Sequence, residues 1–581
     1  MRKYFILLVV IFCMSNTISF AGNESTGTDK RFDSFKERFI KDLWKHNPMW
    51  ATEIGYHAYD SILEVNNEQY RNGQVAFSKS YLDSLKTFDK ATLSSLNRMD
   101  FGLIENYLNS NIFYITEMKG WQWNPSSYNA TGNVAFMLSE NYEPLNKRLV
   151  NIGKKLSQFK SYYEAAKKNI ANPTNEHLKL AIEQNAGGIA ALETDLSDSL
   201  KQATLKAGVK LSITQSLTDA KKAVEDYIVF LKDFKNANPR SFRLGKDLYA
   251  KKFEYEIQSQ YSYQQIYDSA MQRKSYLHHE MYKISDKLWP KYFGTKTKPA
   301  DSLVMIKMMI DTISFNHVKP DEFQSAIEKQ LPELVKFINE KNLIYIDPSK
   351  PLKVRREPAY MAGVAGASIS SPGPYDKGGN TYYNVGSLSG WSAERAESYL
   401  REYNHYILQI LNIHEAIPGH YTQLVYSNNA PSIIKAVFGN GAMIEGWAVY
   451  GELMMLENGY GNNEPEMWLM YYKWNLRTVC NTILDISVHT KEMTESQALN
   501  LLENEAFQQK AEAQGKWRRV SVTNVQLTSY YTGFKEIYDL REELKKKMGS
   551  SFNLKTFHEK FLSYGSAPVK MIRQEMLSEI K

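Results

Sequence analysis

Two histidines and three glutamates in the second half of the chain have the types and spacing needed for metal-assisted hydrolysis. His414 and Glu415 open the segment HEAIPGH, which closes at His420, and Glu445 and Glu452 follow in one later helical stretch. Imidazole nitrogens and carboxylate oxygens are usual ligands of a catalytic zinc ion, which takes three protein ligands and keeps one position open. The pattern predicts zinc held by His414, His420 and Glu445.

The spacing of the two histidines differs from that of the ordinary HExxH motif. Histidines four residues apart share one helix face, whereas six residues correspond to about 600° of rotation and a rise of about 9 Å. Pro418 cannot donate a hydrogen bond to the carbonyl of His414, and Gly419 tolerates unusual dihedral angles. We therefore predict that the helix is interrupted at Pro418 and Gly419, which brings His420 back beside His414.

Two further acids have predicted roles around these ligands. Glu415 directly follows a ligand, so it lies near the metal without having to bind it, where a general base can take a proton from the attacking water. Glu452 lies two helical turns after Glu445 on the same face, where it can orient a ligating histidine. An exchange of roles between Glu445 and Glu452 stays open.

Residues after this segment have less specific patterns. Asp485 precedes His489 by four residues, so the two either form a structural hydrogen-bonded pair along a helix or help to stabilise an oxyanion. Tyr530 alone is one of 38 tyrosines, so its type carries no functional signal. Arg518 and Arg519 are expected to be solvated surface charges rather than receptors for a substrate carboxylate.

The elements that must position these residues are mostly helices. From about Arg31 to Asn342 apolar residues recur at helical spacing, without a repeat of fixed period. After Pro348 a segment rich in proline and glycine, ending at Thr381–Val385, favours short strands and turns. Helical spacing resumes near Ala393. The sequence predicts a mainly α fold with a small β-sheet edge directly before the metal-binding helix.

The N-terminus has the layout of a secretory signal. Arg2 and Lys3 precede the apolar segment Tyr4–Met14, and a small residue stands at Ala21. The apolar segment is shorter than the roughly 20 residues that span a bilayer. We predict cleavage after Ala21 and a periplasmic or extracellular protein, with a lipid anchor on Cys13 as the less favoured alternative.

Composition limits the classes of partner. Removal of residues 1–21 takes away two basic and no acidic residues, which lowers the formal net charge from +7 to +5. No basic run is dense enough to indicate nucleic acid, and no later segment is apolar enough to span a membrane. Only Cys480 would remain, which excludes an internal disulfide. The predicted division is a signal peptide at 1–21, a helical N-terminal region at 22–345 and a catalytic region at 346–581.

Taken in order, these motifs resemble a bacterial family known as domain of unknown function 885. The matching motifs are NP at Asn47, HExxPGH at His414–His420, EGWAxY from Glu445, DxxxH from Asp485 and SYxxG from Ser529. The resemblance covers nearly all of the chain after residue 21. The chain departs from the family's pattern where Pro-Gly-Gln usually precedes the SYxxG motif and where the DxxxH motif usually reads DTGxH.

The resemblance implies a two-lobed helical fold like that of the Glu-zincin metallopeptidases, with zinc in a deep cleft. It implies the zinc ligands and general base already predicted, and it adds weight to Tyr530 and His489 as oxyanion stabilisers. It also implies that the strand region around Tyr360, Tyr382 and Tyr383 lines the cleft and pairs with an extended substrate.

The predicted function is a zinc-dependent peptidase that hydrolyses peptide bonds with metal-activated water. Two alternatives stay open. One is a zinc amidase acting on small non-peptide amides, because the carbonyl chemistry is the same. The other is a non-catalytic, metal-binding helical scaffold, which would have no need of Glu415.

Overall fold

The structure, a computed structural model, describes residues 27–357, 367–376 and 380–580 of the 581-residue chain. The predicted signal peptide, Cys13 and Tyr360 lie outside the described residues. Within the described residues helices dominate and the strands form one small sheet, so the prediction of a mainly α fold is confirmed.

Helices of the first half follow one another with short connections. On one face of the first helix, Phe32, Phe35, Phe39 and Leu43 recur at helical spacing and are buried, which explains both its formation and its orientation. The helices are α1 (Gly27–His46), α2 (Pro48–Glu53), α3 (Glu68–Leu85), α4 (Ser95–Phe113), α5 (Gly120–Trp123), α6 (Thr131–Ser139), α7 (Leu145–Leu156), α8 (Phe159–Asn169), α9 (Asn175–Gln202), α10 (Ala207–Lys232), α11 (Lys246–Ile257), α12 (Tyr263–Phe293), α13 (Ser302–Ile313) and α14 (Phe323–Lys341).

Three short strands separate these helices from those of the second half. The strands are β1 (Leu352–Arg356), β2 (Ala367–Ser370) and β3 (Thr381–Val385). The later helices are α15 (Ala393–Glu402), α16 (His405–Glu415), α17 (His420–Asn428), α18 (Ile433–Val437), α19 (Gly441–Glu457), α20 (Pro465–Thr490), α21 (Glu495–Asn500), α22 (Lys510–Val522), α23 (Ser529–Met548), α24 (Leu554–Ser563) and α25 (Val569–Ser578). The sheet precedes the suspected metal helices in the chain, but α15 lies between β3 and α16.

The strand order β1-β3-β2 places β3 in the centre of the sheet. It pairs in parallel with β1 and antiparallel with β2, so both sides of its backbone are engaged. The expectation that Tyr382 and Tyr383 belong to a strand that pairs with substrate is therefore wrong, because a central strand has no free edge. The outer edges of this sheet belong to β1 and β2.

Buried apolar side chains form three clusters. The largest surrounds α16, α19, α20 and α23 and also contains residues of α11 to α14, so it includes side chains from both sides of residue 345. A second cluster lies between α6 and α10. The third joins aromatic residues of α1 to Ile434 and Val437 of α18. The helices that carry the suspected metal ligands therefore lie in the largest core.

Two helix pairs dominate the packing around the site. Helix α19 runs against α23, and α12 runs against α20. Helices α19 and α20 are buried on nearly every side, as expected for central helices of a large protein. Within the described residues, no helix combines the length and the apolar content that crossing a bilayer requires.

Candidate metal centre

The helix that carries His414 is interrupted where the sequence predicts. Helix α16 ends at Glu415, Ala416 has non-helical dihedral angles (φ −108°, ψ −87°), and α17 begins at His420. The Ile417–Pro418 peptide bond is cis. The prediction of an interruption at Pro418 and Gly419 is confirmed.

Gly419 lies where the chain folds back against the end of α16, so close that a side chain would collide with the backbone there. Its N–H donates to the carbonyl of Ile413 at 2.9 Å, and a Cβ atom here would lie 1.8 Å from the carbonyl oxygen of His414. The indole of Trp447 donates to the carbonyl of Pro418 at 2.8 Å. Helix α19 therefore supports the interruption from outside, and no side chain larger than hydrogen fits at residue 419.

The interruption brings the two imidazoles and Glu445 together. The ring centroids of His414 and His420 are 4.8 Å apart, with the rings nearly perpendicular. One carboxylate oxygen of Glu445, Oε2, lies 3.4 Å from Nε2 of His420 and 3.7 Å from Nε2 of His414. A carboxylate oxygen of Glu415 also falls, with a nitrogen of each histidine, within a set of atoms no more than 4.8 Å apart. The predicted convergence of the imidazoles with Glu445 is confirmed.

Glu452 lies behind His414. Its Oε1 accepts hydrogen bonds from Nδ1 of His414 at 2.7 Å and from the indole of Trp474 at 3.0 Å, and its side chain is fully buried. The hydrogen bond at Nδ1 fixes the ring so that Nε2 faces Glu445. Glu445 therefore faces the Nε2 atoms of both imidazoles, whereas Glu452 fixes the orientation of the His414 ring.

The electrostatics of the centre favour a cation. Burial alone would lower the pKa of His414, but the Glu445 and Glu452 carboxylates raise it to about 10. Burial would raise the pKa of Glu445, but hydrogen bonds from the two imidazoles hold it far below its usual range. For Glu415, burial raises the pKa. The surrounding carboxylates thus stabilise a positive charge at His414, and a metal ion that replaces the proton there would gain the same stabilisation, because metal and proton compete for the same lone pairs.

Residues of this centre fit zinc by their donor chemistry. Two imidazole nitrogens and a carboxylate converge, and the ring of His414 is already fixed by a buried acid. On His420, the buried Nδ1 has no hydrogen-bond partner among the described residues. Only one of the two imidazoles is therefore oriented by a second carboxylate.

Tyr530 reaches the centre because α19 and α23 pack unusually closely. A Cβ atom on Gly446 would lie 2.3 Å from the carbonyl carbon of Gly533, and one on Gly533 would lie 1.7 Å from the carbonyl oxygen of Ala442. This contact sets the start of α23 beside Glu445. Burial, followed by the negative charge of Glu445, raises the pKa of Tyr530 to about 12.

His489 has a different position from the one predicted. Its Nε2 donates to the backbone carbonyls of Val520 at 3.0 Å and Thr523 at 2.9 Å, and its ring stacks on Tyr249. Its Nδ1 then lacks a proton and is buried without a partner among the described residues. The structure does not bring His489 to the metal centre, and neither ring nitrogen can donate a hydrogen bond to an oxyanion there.

Asp485 supports the segment that precedes Tyr530. Its carboxylate accepts hydrogen bonds from the Tyr249 hydroxyl at 2.7 Å, from N–H of Val525 at 2.9 Å and from N–H of Leu527 at 3.2 Å. Val525 has φ of +70°, which an L residue with a branched side chain rarely adopts. The Asp485 hydrogen bonds therefore hold a backbone conformation that the chain would otherwise avoid.

Tyr382 and Tyr383, two of the tyrosines predicted to bind substrate, do not face a common surface. Tyr383 is fully buried and donates from its hydroxyl to Oδ1 of Asn412 at 2.8 Å, so it supports α16 and cannot touch a substrate. Tyr382 projects from the other face of the sheet, because side chains alternate along a strand, and the Arg355 guanidinium lies 4.0 Å over its ring. The expected role of Tyr383 is wrong for this reason.

Sequence reasoning missed a group of basic residues beside the centre. Arg518 is exposed, as expected, and pairs with Glu183. Arg519 was also expected on the surface, but it is half-buried and bonds to Oε1 of Gln526 at 2.7 Å. Arg477 and Lys516 lie nearby, around Glu512. The i,i+4 pair Glu512 and Lys516 was the available signal, but such pairs are common on exposed helix faces.

Known proteins similar to this chain are bacterial. Residues 48–576 match a family described as "Bacterial protein of unknown function (DUF885)". One solved structure, described as a "putative lipoprotein of unknown function" from Shewanella oneidensis, is 53% identical with a TM-score of 0.86, over 94% of this chain and 99% of its own. A "putative lipoprotein" from Colwellia psychrerythraea has the same fold, with 17% identity and a TM-score of 0.75 over 95% and 99% of the two chains. A comparison with functionally curated proteins finds no match.

Proposed function

We propose that this chain, which belongs to the bacterial DUF885 family, is an exported zinc-dependent peptidase. One observation carries the proposal. His414, His420 and Glu445 converge, and a carboxylate oxygen of a further acid, Glu415, lies within 4.8 Å of a nitrogen of each histidine. A scaffold that only binds a metal through the first three residues has no use for this additional acid, whereas a hydrolase requires a base at this place.

The zinc would be held by the imidazoles of His414 and His420 and by the Glu445 carboxylate. When bound, zinc supplies a Lewis acid that polarises a carbonyl group and lowers the pKa of water. Glu452 keeps the His414 ring in the tautomer that offers Nε2 to a metal. This use of the site is a proposal that rests on the donor set.

Glu415 acts as the proton carrier in the proposed reaction. Its burial raises its pKa, which makes the carboxylate a stronger base than an exposed glutamate. It accepts the proton of the attacking water and passes it to the departing amine. Tyr530, whose hydroxyl stays protonated at neutral pH because its pKa is about 12, donates a hydrogen bond to the oxyanion that forms.

The proposal extends to the arrangement of the chain and its location. We propose two lobes, formed by residues 22–345 and 346–581, that enclose a cleft over the metal centre. Export is supported by the signal-like N-terminus and by the description of the Shewanella relative as a putative lipoprotein. That description also favours anchoring through Cys13 more than the sequence alone does.

The test compares the wild-type protein with Glu415→Gln. We expect the wild type to bind about one zinc ion per chain, measured by elemental analysis, and to cleave defined peptides in a chelator-sensitive way, measured by mass spectrometry. Glu415→Gln should keep the zinc and lose at least about 10²-fold in kcat, since the base is absent. Glu394→Gln, on the exposed start of α15, is the matched control and should retain full activity.

Either of two results would refute the proposal. One is a protein that takes up no tight zinc, and the other is a Glu415→Gln variant as active as the wild type. A panel of non-peptide amides run beside the peptides separates the zinc amidase alternative. Cleavage confined to those amides would replace the peptidase with an amidase.

A further inference from the structure

Two basic side chains beside the metal centre share a single carboxylate, and a third lies next to them. Arg477 of α20 forms an ion pair with Glu512 of α22, with Nη2 2.5 Å from Oε1. Lys516 lies one turn further along α22, its Nζ 3.6 Å from the same oxygen. Arg519, almost one turn beyond, forms no ion pair with a carboxylate of the described residues and bonds instead to Gln526. We call Arg477, Lys516 and Arg519 the basic cluster.

The residues at both ends of the basic cluster interact with residues at or next to the metal centre. At one end, Arg519 interacts with Tyr530, and the negative charge of Glu445 raises the pKa of Tyr530. At the other end, Arg477 acts electrostatically on Glu415 and lies 4.8 Å over the ring of Trp474, whose indole bonds to Glu452. The basic cluster therefore adjoins the proposed base and the proposed oxyanion donor.

Within the described residues Glu512 stabilises the charge of Arg477, whereas the charge of Lys516 is not fully balanced. Lys516 is only 5% exposed, and burial together with Arg477 lowers its pKa to about 7. The buried Nε of Arg477 has no hydrogen-bond partner among the described residues. Of the other acids near Arg477, Glu402 is already paired with Lys473 at 2.8 Å, and Glu415 is the proposed base. Buried cations without enough anions are costly unless a ligand supplies the missing charge.

A planar guanidinium presents N–H groups in a fork that matches a carboxylate. The bond from Arg519 to Gln526 occupies one of its terminal nitrogens, Nη2. Lys516 adds a positive charge close to that side chain. A substrate carboxylate would therefore contact the guanidinium of Arg519 and lie close to the side-chain nitrogen of Lys516. These two groups are the usual partners of a carboxylate in a binding subsite.

We infer that the basic cluster, through Arg519 and Lys516, binds a carboxylate of the substrate close to the bond that is hydrolysed. The inference rests on the proposed function and narrows its substrate class. The preferred substrates are short peptides whose free C-terminal carboxylate, or an acidic side chain near the scissile bond, lies within reach of the cluster. If the bound carboxylate is the free C-terminus of the substrate, the enzyme is a C-terminal exopeptidase.

The experiment measures binding separately from turnover. Zinc-loaded Glu415→Gln protein is titrated by calorimetry with acetyl-Ala-Ala-Ala as the free acid, the same peptide as its C-terminal amide, and acetyl-Ala-Ala-Glu amide. We expect the free acid to bind about 10-fold to 100-fold more tightly than the plain amide, the range given by a charged hydrogen bond. Equally tight binding of the glutamyl amide would identify the carboxylate as one from a side chain.

Adding Arg519→Gln to this protein should reduce the preference for the acid to nearly one. Arg518→Gln is the matched control, because it removes the same charge from the neighbouring exposed residue and should keep the preference. If Arg519→Gln does not fold, Lys516→Met removes a buried charge at constant length and should weaken acid binding by about 10-fold.

The outcomes separate this inference from the proposed function. Equal binding of the acid and both amides by the Glu415→Gln protein would overturn the inference, even if wild-type protein hydrolyses peptides. Loss of the preference in Arg518→Gln to the same extent as in Arg519→Gln would also overturn it. A retained preference in a protein that hydrolyses no peptide would refute the peptidase and leave the carboxylate subsite standing.

Discussion

Tyr530 and His489 are both predicted as donors to an oxyanion, and the structure distinguishes between them by the partners of their donor groups. The Nε2 proton of His489 is committed to two backbone carbonyls, so this ring fastens the segment 520–523 to α20. Tyr530 is close enough to Glu445 for the carboxylate to raise the pKa of its hydroxyl, and it remains a donor at neutral pH. At the scale of single residues, the surroundings therefore favour Tyr530 over His489 for the proposed role of oxyanion donor.

Replacing Tyr530 with phenylalanine tests this selection. We expect Tyr530→Phe to lower kcat by about 10²-fold to 10³-fold, the effect of losing one oxyanion donor, with little change in thermal stability. Tyr531→Phe is the control, since the Tyr531 hydroxyl bonds to Ser269 on α12. The measurements are steady-state kinetics and thermal unfolding of both variants. An unchanged kcat in Tyr530→Phe would remove Tyr530 from the mechanism.

At the scale of elements, the pairing of α19 with α23 positions the site. Gly446 and Gly533 meet where the two backbones come closest, and any side chain there would collide with the opposite helix. Glu445 precedes one of these glycines and Tyr530 lies one turn before the other. The EGWAxY and SYxxG motifs are therefore two sides of one helix contact, which sets the distance between Glu445, the proposed metal ligand, and Tyr530, the proposed oxyanion donor.

A methyl group on Gly533 tests the contact. Gly533→Ala should lower the free energy of unfolding by about 1–3 kcal/mol or more, because the added atom forces α19 and α23 apart. Any folded protein that remains should lose kcat as well. Gly187→Ala on α9 is the control, since its Cβ would meet open space and alanine favours the helix. Chemical denaturation of both variants gives the comparison, and equal stabilities would contradict the role of the contact.

At the scale of the whole molecule, the loop after β2 is fastened to the first helices. The His57 ring lies between Asp60, with Nδ1 3.3 Å from Oδ1, and Asp376, with Nε2 3.4 Å from Oδ1. Nearby, the indole of Trp44 donates to the Tyr375 hydroxyl at 3.0 Å. These contacts join α1 and the turn after α2 to the segment that precedes β3, so the N-terminal helices and the sheet support each other.

The His57 contacts make stability depend on pH. Burial would lower the pKa of His57, but Asp376 and Asp60 raise it from 6.5 to about 9 in the folded protein. A raised histidine pKa contributes stability that is complete below pH 6.5 and is lost as the pH rises through 9. The contribution is about 3 kcal/mol at most for this shift.

The measurement is the free energy of unfolding of wild type and His57→Gln between pH 6 and pH 9.5. We expect the advantage of the wild type to shrink steadily over this range. His405→Gln, a change at the exposed start of α16, is the control and should follow the wild-type curve. A wild-type advantage that grows with pH would contradict the predicted direction.

The sequence by itself determined the features that depend on local covalent chemistry. The helical character, the position of the sheet and the break at Pro418 and Gly419 follow from residue periodicity, the missing proline N–H and the missing glycine side chain. Because the break is local, the return of His420 to His414 could also be predicted.

Only the tertiary structure decided between residues whose types allowed several roles. The different surroundings of Glu445 and Glu452, the burial of Tyr383, the hydrogen bonds of His489 and the partial burial of Arg519 depend on how distant segments pack. Such packing brings together residues about 30 to 40 positions apart, so neither spacing nor residue type encodes it. The proposed ligands could be predicted from the motif, whereas the groups that orient them required the fold.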